Sequence, residues 1–149
     1  LKKTKLELEK ERGRWEDIIK NMHFGFDTKN KVFLQQDGFL DKELTPASAI
    51  PADERPINQH WSWDRILRSC YIKQGDVMQG LYFFDHKHDT ETIKRNFDYY
   101  EPMTVHESSL SASIHSILAS RIGNIRKAYE LYLRTSRLDL DDYNKEVCD

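Results

Sequence analysis

Apolar residues recur at helical spacing through the second half of the chain. Residues 74–84 are predicted to form a core helix that is buried on more than one side. Two further helices are predicted on either side of Gly123, and their short junction indicates an antiparallel hairpin. The positions expected to line one face of each hairpin helix are Leu110, Ile114, Ile117 and Leu118, then Ile125, Ala128, Tyr129, Tyr132 and Leu133.

Helix-start and helix-stop residues divide this half of the chain further. Asp89 can cap a helix that must end before Pro102, because proline disfavours helical backbone in the residue before it. Ser108 or Ser109 can cap the next helix, and Asn124 begins the one after Gly123.

The first half of the chain has a different pattern. Residues 1–22 mix charges with a few apolar positions, which predicts a helix with one narrow buried stripe. Residues 24–60 are predicted to be mostly loop with short extended segments, because glycine and proline interrupt the apolar positions. The chain is therefore expected to form a single, mainly α segment over residues 1–149.

Composition and charge exclude several classes of partner. The 149 residues are 38% hydrophobic and 32% charged, as in an ordinary globular domain. A net charge of −2 provides no basic field for nucleic acid, and no apolar run approaches the roughly 20 residues that span a bilayer. Cys70 and Cys148 lie far apart, as expected of reduced thiols in a cytoplasmic protein. Nucleotide-binding glycine motifs do not occur in the sequence.

Two clusters carry candidate chemistry. The first joins His60-Trp61-Ser62-Trp63-Asp64-Arg65 to Tyr71-Ile72-Lys73-Gln74. Flat aromatic faces beside amide, carboxylate and ammonium groups are typical of sugar-binding sites. The alternative is that both tryptophan rings are core residues and that Lys73 forms a surface ion pair.

The second cluster is the loop between the helix ending near Pro102 and the helix beginning near Ser109. Ser109, His106 and Glu107 could be drawn as a nucleophilic triad, but no G-x-S-x-G turn accompanies them. Serine caps are the better explanation. The tract from Asp85 to Asp89 indicates a solvated turn, and we expect no metal site in the chain.

Three long runs resemble one known family. INQHWSWDRILRSCYIKQGDVMQGLYFF, RNFDYYEPMTVHESSLSASIHSI and KAYELYLRTSRLDLDDYN are similar to segments of the inverting disaccharide phosphorylases of glycoside hydrolase family 65, above all to its maltose-cleaving members. The resemblance implies an (α/α) barrel of six helical hairpins, of which this chain would be a central, incomplete segment.

The same resemblance implies the chemistry. A glucosyl unit would pass from an α-glucoside such as maltose to inorganic phosphate, which gives β-glucose 1-phosphate with inversion. One carboxylic acid protonates the glycosidic oxygen while phosphate attacks the opposite face, so neither a general base nor a cofactor is expected. Trehalose, kojibiose or nigerose as substrate, hydrolysis within the same family, and a non-catalytic helical module that binds sugar or protein are the alternatives.

The resemblance also implies site residues. Lys73 and Gln74 match a pair that hydrogen-bonds the transferred glucose, and Glu101 matches a carboxylate that holds the same sugar. Trp61 or Trp63 is expected near that pocket. His106, Ser108 and Ser109 are expected to form its wall or to support the residues that contact sugar.

The resemblance implies that the general acid and the phosphate ligands lie outside this sequence, because in the family the general acid lies upstream of these motifs and the phosphate ligands lie downstream. We therefore assign no catalytic residue and expect the chain alone to be inactive. Since an incomplete toroid leaves apolar helix faces uncovered, we also expect a homo-oligomer.

Overall fold

The computed structural model describes residues 7–138 and 140–141, with Ser109 described by its backbone alone. The fold is mainly helical, with one small antiparallel hairpin in which β1 (Phe26–Asp27) pairs with β2 (Val32–Phe33). The α-helices of the described residues are α1 (Leu8–Asn21), α2 (Ile57–His60), α3 (Trp63–Arg68), α4 (Asp76–Phe83), α5 (Thr90–Tyr100), α6 (Ser109–Arg121) and α7 (Ile125–Arg137). Short 3-10 helices lie at Phe39–Asp41, Ala47–Ala49, Ala52–Glu54, Asp85–Lys87 and Glu101–Met103. Among the residues described, no helix is both long enough and apolar enough to cross a membrane.

Helix α1 is confirmed as a helix, but its predicted buried stripe is wrong. None of its residues is buried, and Trp15, Ile18 and Ile19 are exposed. Exposed ion pairs one turn apart, such as that between Arg12 and Glu16, run along it.

Helix α4 confirms the helix predicted over residues 74–84. Met78 and Leu81 are buried, whereas Phe83 is 60% exposed and Tyr82 is 37% exposed. The expectation that this helix is buried on more than one side is therefore wrong, because its neighbours in this chain cover only the face that carries Met78 and Leu81.

Helix α5 begins and ends as its sequence predicts. The Asp89 side chain accepts a hydrogen bond from the Thr92 N–H at 2.6 Å, and the helix stops at Tyr100, two residues before Pro102. Two side chains on its buried face form hydrogen bonds with the main chain of β2. Asn96 Oδ1 accepts the Phe33 N–H at 2.8 Å, and the Tyr100 hydroxyl donates to the Phe33 carbonyl at 2.5 Å.

Helices α6 and α7 form the predicted antiparallel hairpin. Ser108 caps α6 by accepting the Leu110 N–H, and Asn124 caps α7 by accepting the Lys127 N–H. Gly123 makes the turn with a φ of +79°, a conformation that glycine adopts without a Cβ clash. Ser116 Oγ donates to the Ala128 carbonyl at 2.8 Å, which links the two helices directly.

The faces that these two helices bury agree with the prediction only in part. Leu118 and Ala128 are buried as predicted, whereas Leu110 and Ile125 are each 65% exposed. Small residues share the interior with Leu118 and Leu131, and they let the helices pack closely. The buried positions of the hairpin are Ser111, Ala112, His115, Leu118, Ala119, Ala128 and Leu131.

Candidate functional site

Two distant stretches of sequence lie side by side in the structure. The Ile72 N–H donates to the Met103 carbonyl at 2.9 Å, and the Val105 N–H donates to the Ile72 carbonyl at 3.0 Å. This short parallel bridge between Ile72 and Thr104 places the segment that carries Lys73 and Gln74 beside the loop that follows Glu101.

Lys73 and Gln74 line a hollow of about 240 Å³. Trp63 also lines it: its side chain is 65% exposed, and Lys73 Nζ lies 5.5 Å from the centroid of its ring. Across the hollow, Gln35 Nε2 donates to Asp76 Oδ2 at 2.8 Å. An aromatic face thus lies beside an ammonium group, amides and a carboxylate, which together match the surface and the hydroxyls of a sugar.

Glu101 is not among the residues that line this hollow. It lies in a buried polar cluster with His106, His115 and Lys127, which we call the Glu101 cluster. Its Oε2 atom lies 2.5 Å from His115 Nδ1 and 3.1 Å from His106 Nε2. Its Oε1 atom lies 3.3 Å from Lys127 Nζ. The Glu101 side chain is 11% exposed and the His115 side chain is fully buried, so these contacts are formed away from bulk water.

The contacts set the charge state of the cluster. Burial acts to raise the pKa of Glu101, but the hydrogen bonds from His106 and His115 outweigh it and lower that pKa to about 2. Burial lowers the pKa of His106 even though the Glu101 carboxylate opposes this shift. Burial acts to lower the pKa of Lys127, and the carboxylates of Glu130 and Glu101 raise it overall. At neutral pH Glu101 is therefore an anion that accepts hydrogen bonds.

His106 has an unusual backbone conformation. Its φ is +51°, in the left-handed region that side chains other than glycine rarely adopt. Arg134 on α7 donates to the His106 carbonyl from Nε at 3.0 Å and from a terminal nitrogen at 2.7 Å. Strained backbone held by surrounding contacts is concentrated at functional sites. In this conformation the His106 ring contacts Glu101.

The arrangement of His106 and Glu107 supports the serine-cap explanation over the nucleophilic triad. His106 binds Glu101 and Ser111 rather than Glu107, whose Oε2 accepts the Ile57 N–H at 2.8 Å. Burial raises the pKa of Glu107. Ser108 caps α6, as the alternative explanation predicted, and the Ser109 side chain lies outside the described part of the structure.

Trp61 and Trp63 have separate environments. The Trp61 indole N–H donates to Glu54 Oε2 at 2.5 Å, and its ring packs against Tyr71 with the Arg65 guanidinium 3.6 Å from the ring centroid. Trp61 is absent from the lining of the hollow, whereas Trp63 is part of it. The alternative in which both rings are core residues is therefore wrong for Trp63.

His115, Lys127 and Arg134, which contact Glu101 or His106, were not singled out by the sequence analysis. The signal available for His115 was a histidine four residues after Ser111 on a helix with small residues at the neighbouring positions. Lys127 and Arg134 carry no comparable signal, because charged residues on α7 are equally consistent with a solvated surface.

The same cluster contains the set of groups in the described residues that could hold a metal ion. One ligand atom each from Glu101, His106 and His115 lies within 4.8 Å of the others. However, both rings already point at one carboxylate oxygen, and Lys127 brings positive charge to the other. This arrangement favours a hydrogen-bonded cluster over a cation site.

Comparison with known proteins gives consistent matches over nearly all of the chain. It is 52% identical over 133 residues to the maltose phosphorylase of Bacillus subtilis (strain 168), which covers 89% of this chain and 18% of that protein. It is 41% identical over 135 residues to the alpha,alpha-trehalose phosphorylase of Thermoanaerobacter brockii, with 91% of this chain and 17% of that protein covered.

A solved structure agrees with these matches. A putative kojibiose phosphorylase from the human microbiome superposes with a TM-score of 0.80 at 41% identity, over 92% of this chain and 19% of that one. The chain thus spans less than a fifth of the length of the relatives named here. The family model for the glycosyl hydrolase family 65 central catalytic domain matches residues 1–149. The chain belongs to glycosyl hydrolase family 65, and its helices form part of the (α/α) six-hairpin barrel of that family.

Proposed function

We propose that this chain supplies the donor-glucose part of the active site of an inverting α-glucoside phosphorylase that acts on maltose and inorganic phosphate. The observation that carries the proposal is the placement of Lys73 and Gln74 in a hollow with Trp63, directly beside the loop that holds Glu101. The 52% identity to a maltose phosphorylase favours maltose over the other α-glucosides.

Each group of the hollow has a defined role in this proposal. Lys73 donates to sugar hydroxyls with a positive charge, and the Gln74 amide both donates and accepts. Trp63 offers an aromatic face to the C–H groups of the pyranose ring. Glu101 and the groups bound to it hold the neighbouring loop in place, and this lowers the entropic cost of orienting the donor sugar.

The reacting groups are proposed to come from sequence outside residues 1–149. A carboxylic acid would protonate the glycosidic oxygen, and phosphate, already an anion, would attack the opposite face of the sugar carbon. Inorganic phosphate is then a co-substrate, and no further cofactor is required. It follows that residues 1–149 alone form no glucose 1-phosphate.

An assay of the complete gene product that contains this chain tests the proposal. Incubated with maltose, it should release glucose and β-glucose 1-phosphate only when phosphate is present. Parallel reactions with trehalose, kojibiose and nigerose identify another substrate of the family if maltose is the wrong one. Release of glucose without phosphate would identify a hydrolase, and no turnover of any of the four sugars would favour a non-catalytic binding module.

Lys73→Met, with Lys29→Met as its matched control, links that activity to the hollow. Lys73 lines the hollow, whereas Lys29 is exposed in the turn of the β-hairpin. Loss of a charged hydrogen-bond donor should lower kcat/KM for maltose by about tenfold or more, and the control should match the wild type. Equal kinetics for both variants would contradict the assignment of Lys73.

We also propose that residues 1–149, produced on their own, form a homo-oligomer. The outer faces of α6 and α7 expose Leu110, Ile117, Ile125, Tyr129 and Tyr132. Apolar helix faces that the rest of the barrel does not cover favour association between copies of the segment. Light scattering on this segment gives its molar mass in solution. A monomer would contradict this part of the proposal.

A further inference from the structure

His115 uses only one of its two ring nitrogens within the described part of the chain. It is fully buried on α6, and its Nδ1 atom lies 2.5 Å from Glu101 Oε2. Its Nε2 atom is buried without a hydrogen-bond partner among the residues described. A buried polar atom without a hydrogen-bond partner is destabilising unless a ligand or a water molecule supplies the hydrogen bond. His115 Nε2 is therefore a candidate contact for a ligand.

The unpaired nitrogen faces the segment that follows Lys73 and Gln74. A Cβ atom placed on Gly75 would lie 2.9 Å from His115 Nε2, so the main chain approaches the ring as closely as glycine allows. A cavity of about 40 Å³ opens at this point, lined by Gln74, Gly75, Gln79, Leu110, Ser111, Ile114 and His115. This volume admits a hydroxyl group or a water molecule but excludes a pyranose ring.

The ionised state of Glu101 determines which kind of hydrogen bond a neutral His115 ring can form through Nε2. The ionised Glu101 carboxylate only accepts hydrogen bonds, so the proton of a neutral His115 ring must sit on Nδ1. Nε2 then carries a lone pair and accepts. The group that fits a small cavity facing a bare imidazole nitrogen is an O–H donor.

We propose that His115 Nε2 accepts a hydrogen bond from an O–H group in the cavity beside Gln74, and that Glu101 acts on the sugar site through His115. The O–H belongs either to the donor sugar or to a water that joins the ring to Gln74. In this proposal His115 is a positioning residue. The identity of the ligand rests on the proposed phosphorylase function, whereas the protonation pattern of the ring does not.

The first test is the tautomer of His115, measured at neutral pH by long-range ¹H–¹⁵N correlation spectra of the ¹⁵N-labelled protein. The His115→Asn spectrum assigns the signals. We expect Nδ1 to carry the proton and Nε2 to be bare. A proton on Nε2, in either the other tautomer or the doubly protonated ring, would overturn the proposal whether or not the protein is a phosphorylase.

The second test is kinetic and uses the complete gene product. In His115→Asn the amide can still donate to Glu101 but cannot reach the cavity, and in Gly75→Ala the new methyl group fills the approach to Nε2. Each should lower kcat/KM for maltose by about tenfold, the effect of one lost hydrogen bond to the bound sugar. Gly80→Ala is the matched control, since a Cβ atom there meets nothing within 4 Å. It should match the wild type.

Deoxy analogues of maltose, each lacking one hydroxyl of the donor ring, identify the source of the O–H group. If the sugar supplies it, one analogue abolishes the difference between wild type and His115→Asn. If a water supplies it, the difference persists for every analogue. Wild-type kinetics in His115→Asn would overturn the proposal, whereas an inactive wild type would instead refute the phosphorylase function and leave the tautomer as the test.

Discussion

The Glu101 cluster and the hollow at Lys73 lie on adjacent main-chain segments but differ in construction. In the cluster, Glu101 is 11% exposed and receives groups from a loop and two helices. In the hollow, Gln74 and Asp76 are exposed and Trp63 is 65% exposed. The cluster is assembled by the packing of this chain, whereas the hollow is an open surface with few internal contacts.

This difference separates stability from binding. A buried carboxylate is tolerated only when its partners are in place, so changes in the cluster should first affect folding. Side chains around an open hollow contribute little to folding and can be selected for their contacts with a ligand. The following variants test this separation.

Glu101→Gln should cause the largest loss of stability. The amide keeps the shape of the side chain but leaves Lys127 without its buried counter-charge and weakens the hydrogen bonds from the two histidines, a loss of about 3 kcal/mol in the free energy of unfolding. Urea denaturation measures it. Glu130→Gln removes the exposed partner of the same lysine and should change stability by less than about 0.5 kcal/mol. Equal losses in the two variants would show that burial of Glu101 has no special role.

The pH dependence of stability should show the same cluster. The pKa of Glu101 is about 2 in the folded protein, below its ordinary value of 4.5. The ionised carboxylate therefore adds to the free energy of unfolding above pH 4.5, and this contribution is lost as the pH falls towards 2. His106, whose pKa burial lowers from 6.5, also contributes above that pH and loses its contribution on acidification. Glu107 has the opposite sign: because burial raises its pKa, its contribution is present below pH 4.5 and lost as the pH rises.

The difference in stability between wild type and Glu101→Gln isolates one of these groups. It should shrink as the pH falls from 4.5 to about 2, and it is measured by urea denaturation at successive pH values. The corresponding difference for Glu130→Gln should stay small throughout. A difference for Glu101→Gln that did not change with pH would contradict the lowered pKa.

Substitution of Trp61 and of Trp63 by leucine should change the free energy of unfolding by unequal amounts. Trp61→Leu loses the hydrogen bond to Glu54 and the packing against Tyr71, about 2 kcal/mol for a half-buried ring. Trp63→Leu should change the free energy of unfolding by less than about 0.5 kcal/mol, because the ring is mostly exposed. Thermal melts of both variants provide the comparison. A larger loss of stability in Trp63→Leu than in Trp61→Leu would contradict the environments described for the two rings.

The smallest change in stability is expected for Lys73→Met. Its side chain borders the hollow rather than the core, so the free energy of unfolding should stay within about 0.5 kcal/mol of the wild type. Its loss of activity should nevertheless be large, as described above. A variant that loses stability and activity together would indicate a structural role for Lys73.

Local sequence rules predicted the element boundaries well. Asp89, Ser108 and Asn124 each cap the helix that was expected to follow, since a cap needs only a side chain and the N–H groups of the next turn. The buried faces of α6 and α7 could be predicted only in part in this way. Which face is covered depends on the neighbouring elements, and here Leu118 and Ala128 face the core as expected while Leu110 and Ile125 face outward.

The candidate site was predicted in part. Lys73, Gln74 and Glu101 were proposed through the family resemblance, and the bridge at Ile72 explains why their segments meet. The connection of Glu101 to His115 could not be read from spacing, because 14 residues and a helix start separate the two. The packing of α6 brings His115 into contact with the Glu101 carboxylate, and the sequence around His115 does not show this packing.

The central claim is that the hollow at Lys73 holds the glucose unit that a phosphorylase transfers, while the Glu101 cluster keeps the neighbouring loop in place. The most direct measurement is ¹H NMR of the complete gene product with maltose, followed with and without phosphate and repeated with Lys73→Met. The account predicts β-glucose 1-phosphate only with phosphate, at a rate that Lys73→Met lowers by about tenfold or more. Failure to form it from any of the four disaccharides, or formation at the wild-type rate in Lys73→Met, would contradict the account.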